Sequence, residues 1–190
     1  MKKLIASALF FSFALAAGVS ANWITGESTI IAVNQGEAAF RAPLSSEQRL
    51  DVGMTSGTTG SADIIFSTAS SENKLSLSAV PVKISSGTSG DGSTFSDAKL
   101  TITPLIDNGN GQRYYLLETG SPEGTQIIAY KKGSFTSAFT AASLQEEGDS
   151  ASFEVGKKEL ILHLTKGSDT EDYLLKYDSR TGTFTAEKQA

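Results

Sequence analysis

Apolar and polar residues alternate along most of this 190-residue chain, and Gly, Ser and Thr interrupt the alternation every few positions. Successive side chains of a strand face opposite sides, so a period of two commits the chain to many short strands and leaves little room for helix. The clearest case is Leu160, Leu162 and Leu164, which share one face, while Ile161, His163 and Thr165 share the other. Strands are expected at 29–33, 50–54, 63–67, 74–84, 99–106, 113–118, 126–131, 152–155, 159–165, 173–177 and 183–187. The fold class that follows is all-β: an antiparallel β-sandwich or a meander barrel of about 10–12 short strands, with little helix.

Local exceptions to the alternation carry information of their own. Leu75, Leu77 and Ala79 form one stripe, but Val80, Val82 and Ile84 continue it in the opposite parity, which predicts a bulge or bend near Pro81. Residues 44–49 fit one helical turn, with Ser45 and Gln48 at capping-box spacing. In 134–147, Phe135, Ala138, Phe139 and Ala142 recur at helical spacing, while Phe135, Ser137 and Phe139 also fit a strand, so a strand or a short helix is expected. Two segments, GMTSGTTGSA at 53–62 and SSGTSGDGSTFS at 85–96, read as exposed loops, and neither contains a phosphate-cradling G-x-x-x-x-G-K-[ST] pattern.

The first 21 residues read as an address. Lys2 and Lys3 precede an apolar run from Leu4 to Ala17, and Val19-Ser20-Ala21 offers the small residues a signal peptidase requires. The expected organisation is a signal peptide at 1–21, cleaved near Ala21, and a single antiparallel β domain at 22–190 whose C-terminal part, about 99–187, is a meander. The apolar run is shorter than the roughly 20 residues a membrane-spanning helix needs, so no membrane span is expected. The export signal places the mature chain in the periplasm or outside the cell.

Cleavage would leave 169 residues and shift the formal charge from −5 to −7. Nucleic-acid binding rests on clustered Lys and Arg, so this balance argues against it. The chain has no Cys, which removes disulfides, thiol nucleophiles, Cys-ligated zinc and lipid attachment at a Cys in one step. A domain of this size can stand on its hydrophobic core alone.

An internal match links Tyr115-Leu116-Leu117-Glu118-Thr119-Gly120-Ser121-Pro122-Glu123-Gly124-Thr125 with Tyr173-Leu174-Leu175-Lys176-Tyr177-Asp178-Ser179-Arg180-Thr181-Gly182-Thr183, without gaps. The unit is a strand, a polar turn closed by Gly at positive φ, and a return strand. Duplication and convergence both remain open explanations.

Candidate chemistry is sparse. A Ser-His-Asp arrangement would have to use His163, the one His, but no G-x-S-x-G elbow presents a Ser. Ser71 with Lys74 and Ser96 with Lys99 match S-x-x-K, yet both lie beside strands instead of opening a helix. Glu146, Glu147, Asp149, Glu171 and Asp172 are carboxylates from which a glycosidase pair could be drawn, all in polar turns. Asp107-Asn108-Gly109-Asn110-Gly111 has oxygen ligands for calcium but lacks the EF-hand spacing, and a hairpin turn explains it more simply. Tyr114, Tyr115, Tyr130, Tyr173 and Tyr177 could stack on sugars or line an interface, with cross-strand packing as the plain alternative. Trp23 is either a tether for the N-terminus or an exposed contact.

No catalytic residues, metal ligands or cofactor are therefore assigned. The expectation is an exported non-catalytic β-domain for binding or assembly at the bacterial envelope or surface, in an adhesion, matrix or fimbria-like role with a protein or glycan partner. The stretch from Ser28 to Val33 could add to a neighbour's sheet. The alternative is a soluble periplasmic binding or inhibitor protein with a barrel-like fold, and a hydrolase is the third.

Overall fold

The runs Tyr114-Tyr115-Leu116-Leu117 and Ile127-Ile128-Ala129 break the alternation because every one of their side chains is buried. They lie in the middle of a sheet that is covered on both faces. The computed structural model describes residues 22–34, 40–43, 48–54, 60–68, 73–88, 90–92 and 94–189. Fifteen strands run through the described residues: β1 (Trp23–Thr25), β2 (Thr29–Asn34), β3 (Phe40–Pro43), β4 (Gln48–Met54), β5 (Ser61–Thr68), β6 (Lys74–Pro81), β7 (Ile84–Thr88), β8 (Thr94–Asp107), β9 (Arg113–Glu118), β10 (Gln126–Lys131), β11 (Ser134–Thr140), β12 (Ser150–Val155), β13 (Leu160–Lys166), β14 (Asp169–Asp178) and β15 (Thr183–Lys188). Helical geometry among them is limited to 3-10 turns at Pro122–Gly124 and Ala141–Leu144.

The strands form three antiparallel sheets, so the chain is all-β and sandwich-like, with more strands than expected. A central seven-stranded sheet follows the order β1-β8-β9-β10-β11, with β2 and β7 also paired to β8. One outer sheet is β3-β4-β5-β6 and the other is β12-β13-β14-β15. Two hydrophobic clusters hold the stack together. Ile31, Leu100, Ile102, Tyr115, Leu117, Ile128 and Phe135 of the central sheet meet Ala62, Ile64, Phe66 and Val80 of the first outer sheet. On the opposite face, Trp23, Leu105, Tyr114, Leu116, Ile127 and Phe139 meet Leu160, Leu162, Leu164, Tyr173, Leu175 and Phe184.

Neighbour-to-neighbour pairing runs from β8 to β11, stops at the 3-10 turn, and resumes in the second outer sheet from β12 to β15. The C-terminal meander is thus split between two sheets. Residues 85–96 are not an exposed loop throughout: β7 and the start of β8 pair from Ile84↔Ala98 to Thr88↔Thr94. Gln48 and Arg49 open β4 instead of closing a helical turn, and residues 44–47 lie outside the described residues. Of the expected loop at 53–62, 55–59 lie outside them too, whereas Gly53 and Met54 end β4 and Ser61 and the buried Ala62 open β5.

Two bulges account for the irregular patterns. Ala62 pairs with Val80 and Ile64 with Leu77, so β6 carries one extra residue. Ala79 takes φ 52° there, and its N–H donates to Asp63 Oδ1 at 2.8 Å. This shift, just before Pro81, returns Val80 and Val82 to the core. In β11, Ile128 pairs with Ser137 and Ile127 with Phe139, leaving Ala138 as the extra residue. Phe135 consequently faces one cluster and Phe139 the other. The helix-like spacing of the two rings is the imprint of a bulge in a two-faced sheet.

Pro104 explains why β1 and β2 are separate. β2 pairs with β8 up to Ile102 and β1 pairs from Leu105, so Pro104, which lacks an N–H, falls in the gap. The chain loops past it at 26–28, where Gly26 N–H donates to the Pro104 carbonyl at 2.9 Å.

Candidate functional site

His163 projects from the middle strand of the β12–β15 sheet on the face away from the core. Its register neighbours are Ser152 on β12 and Asp172 on β14. Nδ1 lies 2.7 Å from Asp172 Oδ1, and Nε2 lies 3.1 Å from Glu154 Oε2. The Asp172 hydrogen bond is the main cause that raises the His163 pKa, opposed by partial burial and reinforced by Glu154. With a carboxylate beside each nitrogen, the protonated ring is favoured and the three side chains form a clamp across three strands. A general base must be neutral and free to accept a proton, so this arrangement does not serve a Ser-His pair.

The other sequence candidates separate into different places. Ser71 lies outside the described residues, and positions 96 and 99 both lie within β8, so this S-x-x-K match does not open a helix. Glu146, Glu147 and Glu171 come together, with Gln145, Leu164, Lys166 and Asp169, around a concavity of about 440 Å³ at one end of the outer sheet. Lys166 pairs with Glu147 at 3.0 Å and Lys188 with Glu171 at 2.7 Å. The Lys188 bond, followed by the Tyr173 hydroxyl, holds the Glu171 pKa below the usual carboxylate range. A glycosidase acid needs the opposite shift. Asp149 instead accepts the Gly167 N–H at 2.6 Å, and Asp172 belongs to the His163 clamp.

Asp107 closes its own hairpin. It is 3% exposed, and its Oδ1 accepts the Gly109 N–H at 2.9 Å. Among the described residues, no three His, Asp or Glu side chains converge as metal ligands. The tyrosines are packing residues: Tyr114, Tyr115 and Tyr173 are buried, and Tyr130 and Tyr177 are half-buried. Trp23 is a tether, 7% exposed, with its ring centroid 5.8 Å from that of Tyr114, 5.3 Å from Tyr177 and 5.7 Å from Phe184. The Tyr114 hydroxyl donates to Tyr177 at 2.8 Å, and burial drives the Tyr114 pKa upward. In the other cluster, Tyr115 donates to Gln48 Oε1, and burial pushes its pKa up to about 12.

Compared with known families, with curated proteins and with solved structures, the chain matches none of them. The reading of function therefore rests on its own geometry.

Two surface features remain, and of these sequence reasoning singled out only the 28–33 stretch of the first. The first is the edge of the central sheet. Ile24 on β1 and Ile30 on β2 are 48% and 57% exposed, and they are the large hydrophobics most open to solvent among the described residues. The stretch expected to add to a neighbour's sheet is already paired on one side, from Thr29↔Ile102 to Asn34↔Asp97.

The second is a basic concavity of about 230 Å³ formed where two hairpins end. Asn110, Gly111, Gln112 and Arg113 come from the β8–β9 turn, and Tyr130, Lys131 and Lys132 from the β10–β11 turn. Gln112 ties the two together: its Nε2 donates to the Tyr130 carbonyl at 2.5 Å. Lys132 and Gly133 have φ of 51° and 81°, the signature of a type I′ turn. A non-glycine residue in that conformation costs about 1 kcal/mol, and Asn is preferred there. That preference is the one local signal in the sequence, since Lys131-Lys132 and Arg113 are otherwise unrelated in the chain.

Proposed function

We propose that the protein is an exported non-catalytic β-domain used for binding or assembly at the bacterial envelope or surface, in an adhesion, matrix or fimbria-like role. The observation that carries this reading is the outer edge of β2, which continues into β1, where the Trp23 N–H is already taken by the Lys157 carbonyl at 2.9 Å. Outer strands normally discourage pairing with charge, proline or a bulge. Here β3 carries Arg41 and Pro43, β6 carries Lys74, Pro81 and its bulge, β11 has a bulge, and β12 and β15 carry Glu154 and Lys188. WIT and TIIAVN have none of these devices, and they expose Ile24 and Ile30. An incoming strand would gain backbone hydrogen bonds and cover both isoleucines.

Because the chain has no Cys, Ile30→Cys introduces a single thiol. A short bis-maleimide should link that variant into dimers much faster than it links an Arg180→Cys control, whose thiol sits in the β14–β15 turn. Equal or absent crosslinking in the two variants would contradict edge assembly.

A second reading, a soluble periplasmic binder, draws on the two end concavities. The space between the sheets is filled by core side chains, so a ligand would sit at an end of the stack and not in a barrel lumen.

A further inference from the structure

We propose that the concavity between the β8–β9 and β10–β11 hairpin ends is a binding site for oxyanion groups: phosphate, sulfate or carboxylate. Three cations, Arg113, Lys131 and Lys132, border it on a chain whose net charge is −5. Lys166, Lys176 and Lys188 are each matched to a Glu in the outer sheet. Among the described residues, no carboxylate lies within ion-pair distance of Arg113, Lys131 or Lys132. An anion in the concavity would meet positive charge that no carboxylate neutralises.

Hydrogen bonds frame these cations. Asn110 Oδ1 accepts the Gln112 N–H at 2.8 Å, and Gln112 Nε2 holds the β10 end through the Tyr130 carbonyl. Asn110 Nδ2 also donates to the Tyr177 hydroxyl at 3.3 Å, which fastens the hairpin end to the outer sheet. Arg113 and Tyr130 are direct cross-strand partners, so Arg113 starts on the sheet face opposite to Lys131, and an anion would be reached from both sides of the sheet end. Arg offers a planar fork that fits carboxylate and phosphate oxygens, and the lysines add point charges. The position of Lys132 is itself informative. Its left-handed conformation favours Asn or Gly, yet a Lys occupies it and brings a third cation to the hairpin ends.

The test is an amide NMR titration of the whole protein with inorganic phosphate, sulfate and trigalacturonate, each at constant ionic strength so that general screening does not vary. The expected result is saturable shifts confined to 110–113 and 130–133. Lys132→Asn should weaken binding at least fivefold while raising the thermal midpoint, because Asn suits the turn, and Lys131→Gln/Lys132→Asn should weaken it further. Saturation by phosphate and sulfate alone would assign a tetrahedral oxyanion, and saturation by trigalacturonate alone a carboxylate. Shifts that do not saturate, that spread equally to Lys157 and Lys158, or that persist in the double variant would overturn the proposal. None of these outcomes depends on assembly through β1 and β2.

Discussion

His163 is bracketed by carboxylates that lie nine residues before and nine residues after it, at Glu154 and Asp172. A folded-state pKa raised above the unfolded value of about 6.5 means that the clamp stabilises the fold fully below that pH and is lost as pH rises through the folded value. Because the Asp172 and Glu154 side chains are 48% and 66% exposed, the effect should stay below about 1 kcal/mol. Thermal midpoints measured from pH 5.5 to 9 should fall with pH in the native protein, and this fall should be reduced in His163→Gln. An identical pH profile in the two proteins would show that the clamp contributes nothing. The sequence placed His163 on the wetter face of its strand correctly. Its partners depend on the register of β12 and β14, which no local pattern encodes. Trp23 illustrates the same limit, since its burial depends on Tyr114, Tyr177 and Phe184, which are remote in the chain.

At the level of the element, the strands with long apolar runs or clear alternation were the readable ones. β9 and β10 match their expected bounds, and β13 shows the alternating burial that Leu160, Leu162 and Leu164 imply. The sequence reading has no strand at β1 or β3, takes most of β7 for a loop, and leaves β11 as either a strand or a short helix, because these segments are very short, rich in Ser, Thr or Gly, or bulged. The parity switch before Pro81 was visible, and its cause is the extra residue in β6. Ala79 is exposed there at φ 52°, so Ala79→Gly should raise unfolding stability by about 1 kcal/mol, checked by urea denaturation. A loss of stability would mean that the bulge is not held as described. The internal repeat is also partly explained by its turns. Gly182 has φ 76°, as a turn glycine should, whereas Gly124 is required for space: a Cβ there would lie 2.1 Å from the Pro81 carbonyl oxygen. The two matching segments share a strand–turn–strand form, but one sits in the central sheet and the other in an outer sheet.

For the whole molecule, a central sheet sandwiched between two others puts most of the apolar alternation to use in two separate cores. Among the described residues, the most exposed large apolar side chains, Ile24 and Ile30, lie on a sheet edge and the basic concavity lies at hairpin ends, and those are the places where function is proposed. Composition and alternation revealed the all-β class, but not three layers, because the number of sheets depends on which strands are buried on both faces. The edge of β1 and β2 became visible only once β8 was seen to occupy their other side. Assembly through that edge is the central claim, and sedimentation velocity across a wide concentration range tests it most directly. The native protein should associate as its concentration rises, whereas Ile24→Lys/Ile30→Lys, folded by circular dichroism, should remain monomeric. A native protein that stays a single monomeric species at every concentration would contradict the claim.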